Sequence, residues 1–313
     1  MTAAFLHLAY GVLIQGYALT ATPWLEQLRD RYLLPQFLMP MVVNMISSSL
    51  IAGLTVWIAM HRWLARHNTA AVDEPRKLYG TFIALLLLFT LAASAGSAIL
   101  QNKMMDYVLS HRMSVSAWLG ASGIHHMLAL SLLLKALNIV VDILGAWVVV
   151  RIAAWTVQPS GPAVRPVYVQ RHAAWIAGLT VLAWQLNVSI ALGGYLQLQT
   201  LSAGWLQYVL GYLVLPAVVL ALSALVCLKI LPRQIGTAGS GRAVAHGTIT
   251  FWVAQALGIG LGVLAIRSMT WSQLGRAVES NMAAAVTLLI YGALLALGCA
   301  IGRWALYRNR VDE

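Results

Sequence analysis

The chain has 313 residues, of which 60% are hydrophobic and 9% charged, and its mean hydropathy is +0.79. Water-soluble domains carry about 25% charged residues, so a soluble globular protein is excluded. A nucleic-acid-binding domain, a disordered chain and a disulfide-stapled secreted domain are excluded with it, for want of polar surface, of low apolar content and of cysteines beyond Cys227 and Cys299. The formal net charge of +11 takes its meaning from position: Lys and Arg cluster between apolar stretches, as in loops held against anionic lipid.

In chain order, the first apolar stretch covers 5–24. It is weakened by His7, Gln15, Thr20 and Thr22, and reads either as a span or as a helix lying in the interface; an eighth span is the preferred reading. It has no basic leading segment and no small-residue cleavage site, so it is expected to stay on the protein rather than act as a cleaved signal. Seven clearer stretches follow, at 37–61, 78–100, 126–150, 173–196, 205–228, 248–266 and 283–303. About 20 residues at 1.5 Å each cross a hydrocarbon core of roughly 30 Å. Each stretch should be helical, because unpaired amides facing lipid cost several kcal/mol apiece. The expected fold is an all-α polytopic transmembrane bundle of seven or eight spans, forming one transmembrane domain over 1–313.

Alternate loops differ in character. Those at 68–76, 158–166 and 236–241 are short and carry Pro, Gly, Ser or acidic turn residues. Those at 24–32, 104–112 and 271–278 space apolar residues three or four apart, as short amphipathic outer helices would. One set of loops holds Arg62, Arg66, Arg76, Lys77, Arg151, Arg165, Arg171, Lys229, Arg233, Arg242, Arg303, Arg308 and Arg310; the opposite set holds Arg29, Arg31, Lys103, Arg112, Arg267 and Arg276. The more basic side is cytoplasmic, which puts the C-terminus inside. Arg in excess of Lys and the Ala/Leu-rich spans suit the bacterial inner membrane.

The most informative segment is 131–142. Steps of four, three and four put Ser131, Lys135, Asn138 and Asp142 on one helical face. A charge near the bilayer centre costs about 2.5 to 3.5 kcal/mol, so such residues face protein or water and mark function or assembly. Lys135 and Asp142 are about 10.5 Å apart in rise, so each needs another partner. Candidates on other spans are Asn44, Ser47 and Ser48 on one face, Gln185 and Ser189 on another, Asn187 beside them, and Gln255. Taken singly, each also reads as interhelical glue.

Other signals are weaker. His61, His67, His172 and His246 fall at or beyond the inner ends of spans, and His111, His125 and His126 at outer positions. Paired mid-membrane haem ligands are therefore not expected, and interfacial histidines are expected to be solvated. Cys227 and Cys299 read as small buried hydrophobes. No HExxH, CxxC or GxSxG motif is present, so no metal and no cofactor is indicated. Gly258, Gly260 and Gly262 sit within a span, where glycine lets a neighbour pack closely or breaks the helix. Arg267 and Arg276 are candidate outer-interface contacts for an anion.

The leading functional expectation is a transporter or channel, or the membrane-embedded subunit of a larger assembly, with other membrane subunits or a second copy as protein partners beside the lipid bilayer. An intramembrane enzyme acting on a lipid or polyprenyl-linked substrate comes next, and a haem-bearing electron-transfer subunit third.

Overall fold

The computed structural model describes residues 2–21, 33–69, 71–111, 123–161, 170–196, 205–232, 239–273, 276 and 281–307. Among them lie nine α-helices: α1 (Thr2–Ala21), α2 (Pro35–Arg66), α3 (Pro75–Ser110), α4 (Gly123–Trp155), α5 (Gln170–Leu196), α6 (Trp205–Val209), α7 (Leu215–Ile230), α8 (Gly239–Ser268) and α9 (Asn281–Tyr307), with two short strands, β1 (Ala71–Val72) and β2 (Pro159–Ser160). Seven helices are long and apolar enough to cross a bilayer, and the protein is a multi-pass membrane protein. All seven clear stretches are helical, but the helices run beyond them. The stretch at 78–100 lies within the 36 residues of α3, and the one at 248–266 within α8, which begins at Gly239. Hydropathy marks what sits in hydrocarbon, whereas backbone hydrogen bonding carries a helix on until a breaker stops it.

That difference corrects one expected outer helix. Residues 104–110 are the last two turns of α3 rather than a separate piece, because nothing between Asn102 and Met105 interrupts the backbone ladder. Of the other two, 24–32 lies outside the described residues, and 271–273 forms a helical turn whose preceding Thr270 N–H donates to Gln273 Oε1 at 2.9 Å. The side chains of His125 and His126 also lie outside the described residues.

The chain divides into two compact units, Met1–Pro166 with Leu186–Leu213, and Val167–Gln185 with Val214–Glu313. In the first unit, α1 lies antiparallel along α2: Ala4 meets Gly53, and Met45 meets Gly11. The core joins Ala3 of α1, Ala59 of α2, Phe82 and Leu86 of α3, and Val149, Val150 and Ala153 of α4. Phe89 of α3 lies so close over Gly145 of α4 that a Cβ there would stand 1.9 Å from its ring. The loops after α2 and α4, expected as short turns, pair as an antiparallel ribbon, Ala71 with Ser160 and Val72 with Pro159. Asp73 Oδ1 accepts the N–H groups of Glu74 (2.8 Å) and Gln158 (2.9 Å), and the Thr69 hydroxyl donates to the Ser160 carbonyl. The ribbon holds the ends of α2 and α4 on one side, which is the alternation that serial spans require.

In the second unit, α9 packs on both α7 and α8, and small residues set the spacing. A Cβ at Gly247 would lie 2.5 Å from the Ala177 carbonyl oxygen, one at Gly298 2.6 Å from that of Thr250, and Gly178 stands against Ala224. Close backbone approach of this kind is how helices gain packing energy where no hydrophobic effect acts between them. Gln170 Nε2 donates to the carbonyls of Leu228 and Leu231, both at 2.6 Å, closing the end of α7. By contrast Gly260 and Gly262 meet nothing within 4 Å, and α8 runs through them unbroken. Pro216, the second residue of α7, follows a π-helical turn at Leu210–Val214, whose wider winding makes room for the ring.

Candidate functional site

The polar face of α4 meets protein on both sides. Lys135 Nζ donates to Asn44 Oδ1 of α2, and Ser97 Oγ of α3 donates to Asn138 Oδ1 at 3.1 Å. Lys135 is 20 residues before the end of α4 and Asn44 22 before the end of α2, so both lie about 30 Å from the ribbon that joins those ends. Equal depth on neighbouring helices is what lets one amide take the ammonium. Lys135, Asn138 and Asp142 are half-buried, whereas Asn44 and Ser131 are exposed. Asp142 interacts electrostatically with Lys135, but no hydrogen bond reaches its carboxylate among the described residues. The rest of α4 around this face is apolar and open, with Leu133, Val140 and Leu144 more than half exposed, as a lipid-facing surface would be.

The other sequence-derived partners sort into separate contacts. Asn187 Nδ2 donates to Ser47 Oγ at 2.7 Å, so α2 uses Ser47 here and not its neighbour Ser48, which is half-buried. Gln185 and Gln255 are brought together in the second unit: Gln255 Nε2 lies 3.1 Å from Tyr291 Oη and 3.4 Å from Gln185 Oε1, and Tyr291 donates to Gln185 Oε1 at 3.2 Å. This closed triangle of α5, α8 and α9 is a polar staple. Ser97 and Tyr291 were not singled out from the sequence, since a serine in a small-residue run and a lone tyrosine within a span carry no periodic signal. Arg267 and Arg276 are exposed, the latter donating to the Ser272 carbonyl at 3.3 Å.

Three histidines pack against aromatic residues four positions earlier in the chain: His61 and His67 lie tilted against Trp57 and Trp63, and His111, just past the end of α3, stacks on Tyr107. His246 differs. Expected to be solvated beyond the start of a span, it is fully buried seven residues into α8, because that helix starts nine residues before the apolar stretch does. Its Nε2 lies 3.0 Å from Cys299 Sγ of α9, which lies 3.5 Å from Cys227 Sγ of α7. Both cysteines are fully buried. The three donor atoms lie within 4.8 Å of one another, a set whose chemistry suits a soft or borderline cation.

No protein-family model, no curated protein and no solved structure matches this chain.

Proposed function

We propose that this protein is a membrane transporter in which the Lys135, Asn138 and Asp142 face of α4 borders the path and Asp142 is the group that takes up a proton or a small cation. The observation that carries the reading is the contrast along this face. Lys135 and Asn138 have partners on α2 and α3, while the Asp142 carboxylate, half-buried on the same helix, has no hydrogen bond among the described residues. A carboxylate at this depth is costly, and a bound cation or proton removes that cost. Gly123 lies 19 residues before Asp142 and Trp155 13 residues after it, so the acid sits about 20 Å or more from either helix end. In the orientation the basic loops favour, the C-terminus is cytoplasmic. The antiparallel seat of α1 on α2 supports an eighth span, which puts the N-terminus on that side too.

The test is the thermal midpoint of purified protein in lipid nanodiscs across pH and across sodium and potassium concentration, because a ligand that binds the folded state raises its stability. Wild type is expected to shift with one of these ions, and Asp142→Asn to lose that dependence while remaining monodisperse. Proteoliposomes carrying the same ion gradient should show flux for wild type and none for Asp142→Asn. If Asp142→Asn and Lys135→Met both match wild type in ion dependence and flux, the reading is wrong.

One observation favours a second reading, that of a membrane-embedded subunit. The Lys135–Asn44 pair lies at an exposed position beside exposed leucines, where a helix from another chain would shield it from lipid. Cross-linking in intact membranes through a cysteine at position 44 distinguishes the two, since a subunit would give a defined adduct.

A further inference from the structure

We propose that Cys227, His246 and Cys299 form a zinc site that fastens α7, α8 and α9 together at one end of the second unit. Three observations carry it, independently of the reading of α4. The first is the donor geometry. In a tetrahedral zinc site with bonds of about 2.3 Å to sulfur and about 2.0 Å to nitrogen, sulfurs stand about 3.8 Å apart and sulfur from nitrogen about 3.5 Å. Here Cys227 Sγ and Cys299 Sγ are 3.5 Å apart, and Cys299 Sγ and His246 Nε2 3.0 Å. An entering ion has to spread these two pairs by roughly 0.3 and 0.5 Å. A disulfide would instead draw the sulfurs in to about 2.05 Å and leave His246 without a role.

The second observation is the polarity sealed in around the donors. Of five buried side-chain N or O atoms without a hydrogen-bond partner among the described residues, three gather here: His246 Nδ1, Thr250 Oγ1 one turn further along α8, and the hydroxyl of Tyr307. The Tyr307 ring packs edge-on to the imidazole with centroids 5.8 Å apart, and the residue interacts electrostatically with both cysteines. An apolar core does not collect unpaired polar groups without compensation; a water held on the ion's fourth position would partner the Thr250 or the Tyr307 hydroxyl, while His246 Nδ1 still requires an acceptor of its own.

The third is the way the helices approach. Gly247 follows His246, Gly298 precedes Cys299, and Gly302 lies one turn beyond, where a Cβ would stand 2.7 Å from His246 Nδ1. Glycine at each of these positions lets the three donors converge and leaves the imidazole no room to turn away. Charge suits a divalent ion: two thiolates, a neutral imidazole and a divalent cation sum to zero, which lowers the cost of so little solvent exposure, and Arg303 acts electrostatically on Cys299 from nearby.

The experiment is metal analysis of the full-length protein purified without chelator, followed by cobalt substitution. About one zinc per chain is expected, together with a thiolate-to-cobalt charge-transfer band in the substituted protein. Zinc and band should both be lost in Cys299→Ser and in His246→Gln, and retained in Ser223→Ala, a buried residue of α7 one turn from Cys227. Should the two donor variants fail to fold, the wild-type zinc content and cobalt spectrum decide by themselves. Protein that holds no zinc and takes up no cobalt while both thiols react freely with a thiol reagent on denaturation would overturn the proposal. So would a mass showing the two cysteines oxidised to a disulfide, or stoichiometric copper in place of zinc.

Discussion

The polar face of α4 and the Cys/His cluster both put chemistry-bearing side chains into membrane-spanning helices, by opposite means. On α4 Lys135 and Asn138 are half-buried and satisfied one at a time by Asn44 and Ser97, Asp142 is half-buried without a hydrogen bond among the described residues, and exposed leucines and valines flank all three. In the cluster every donor is fully buried, and glycines bring the helices to backbone contact. The first arrangement leaves a group able to change partner or charge. The second holds its geometry fixed and excludes everything larger than an ion or a water. Polar residues in a membrane helix thus indicate different things according to what closes around them, and the closing is done by residues with no chemistry of their own.

That comparison breaks most readily at Gly247. A leucine there must push against the Ala177 carbonyl, 2.5 Å from the nearest Cβ position, and should cost about 3 kcal/mol or more, seen as a lowered thermal midpoint in detergent. The same replacement at Gly260, on the same helix but with nothing within 4 Å, should stay within about 0.5 kcal/mol. If both variants melt alike, close helix approach does not organise the second unit.

A smaller effect is expected from the buried hydrogen bonds. Asn187→Leu removes the 2.7 Å donor to Ser47 and should destabilise by about 1 kcal/mol, measurable by chemical unfolding in mixed micelles. Gln255→Leu should cost about the same or less, because Tyr291 keeps its bond to Gln185. On the open face, Asp142→Asn should leave stability within about 0.5 kcal/mol of wild type while removing ion dependence; a large loss of stability would turn Asp142 into a packing residue. Smallest of all is Lys77→Ala. The Lys77–Glu74 pair, 2.9 Å apart, is solvent-exposed, and its loss should not move the thermal midpoint at any salt concentration, since surface pairs of this kind contribute little.

How much of each site was legible follows from how its residues are spaced. Ser131, Lys135, Asn138 and Asp142 share one helix, so the period of 3.6 residues per turn put them on one face before any tertiary contact was known. Their partners were named only as a pool, from which Asn44 pairs with Lys135 while Gln185 and Gln255 pair with each other and Tyr291. The cluster left no trace of that sort. Its members are 53 and 72 positions apart along the pairs that touch, no motif links them, and a histidine near Arg242 looked like the edge of a loop.

From the sequence alone came the hydrophobic lengths that make seven spans and the single-helix polar face, because lipid imposes those constraints locally on each segment. What only the tertiary structure decided is which helices meet at which depth. That depends on where small residues permit contact: Gly145 under Phe89, Gly247 against Ala177, Gly302 against His246. Such pairings are set by the steric fit of two distant surfaces, and no local pattern in the chain records them.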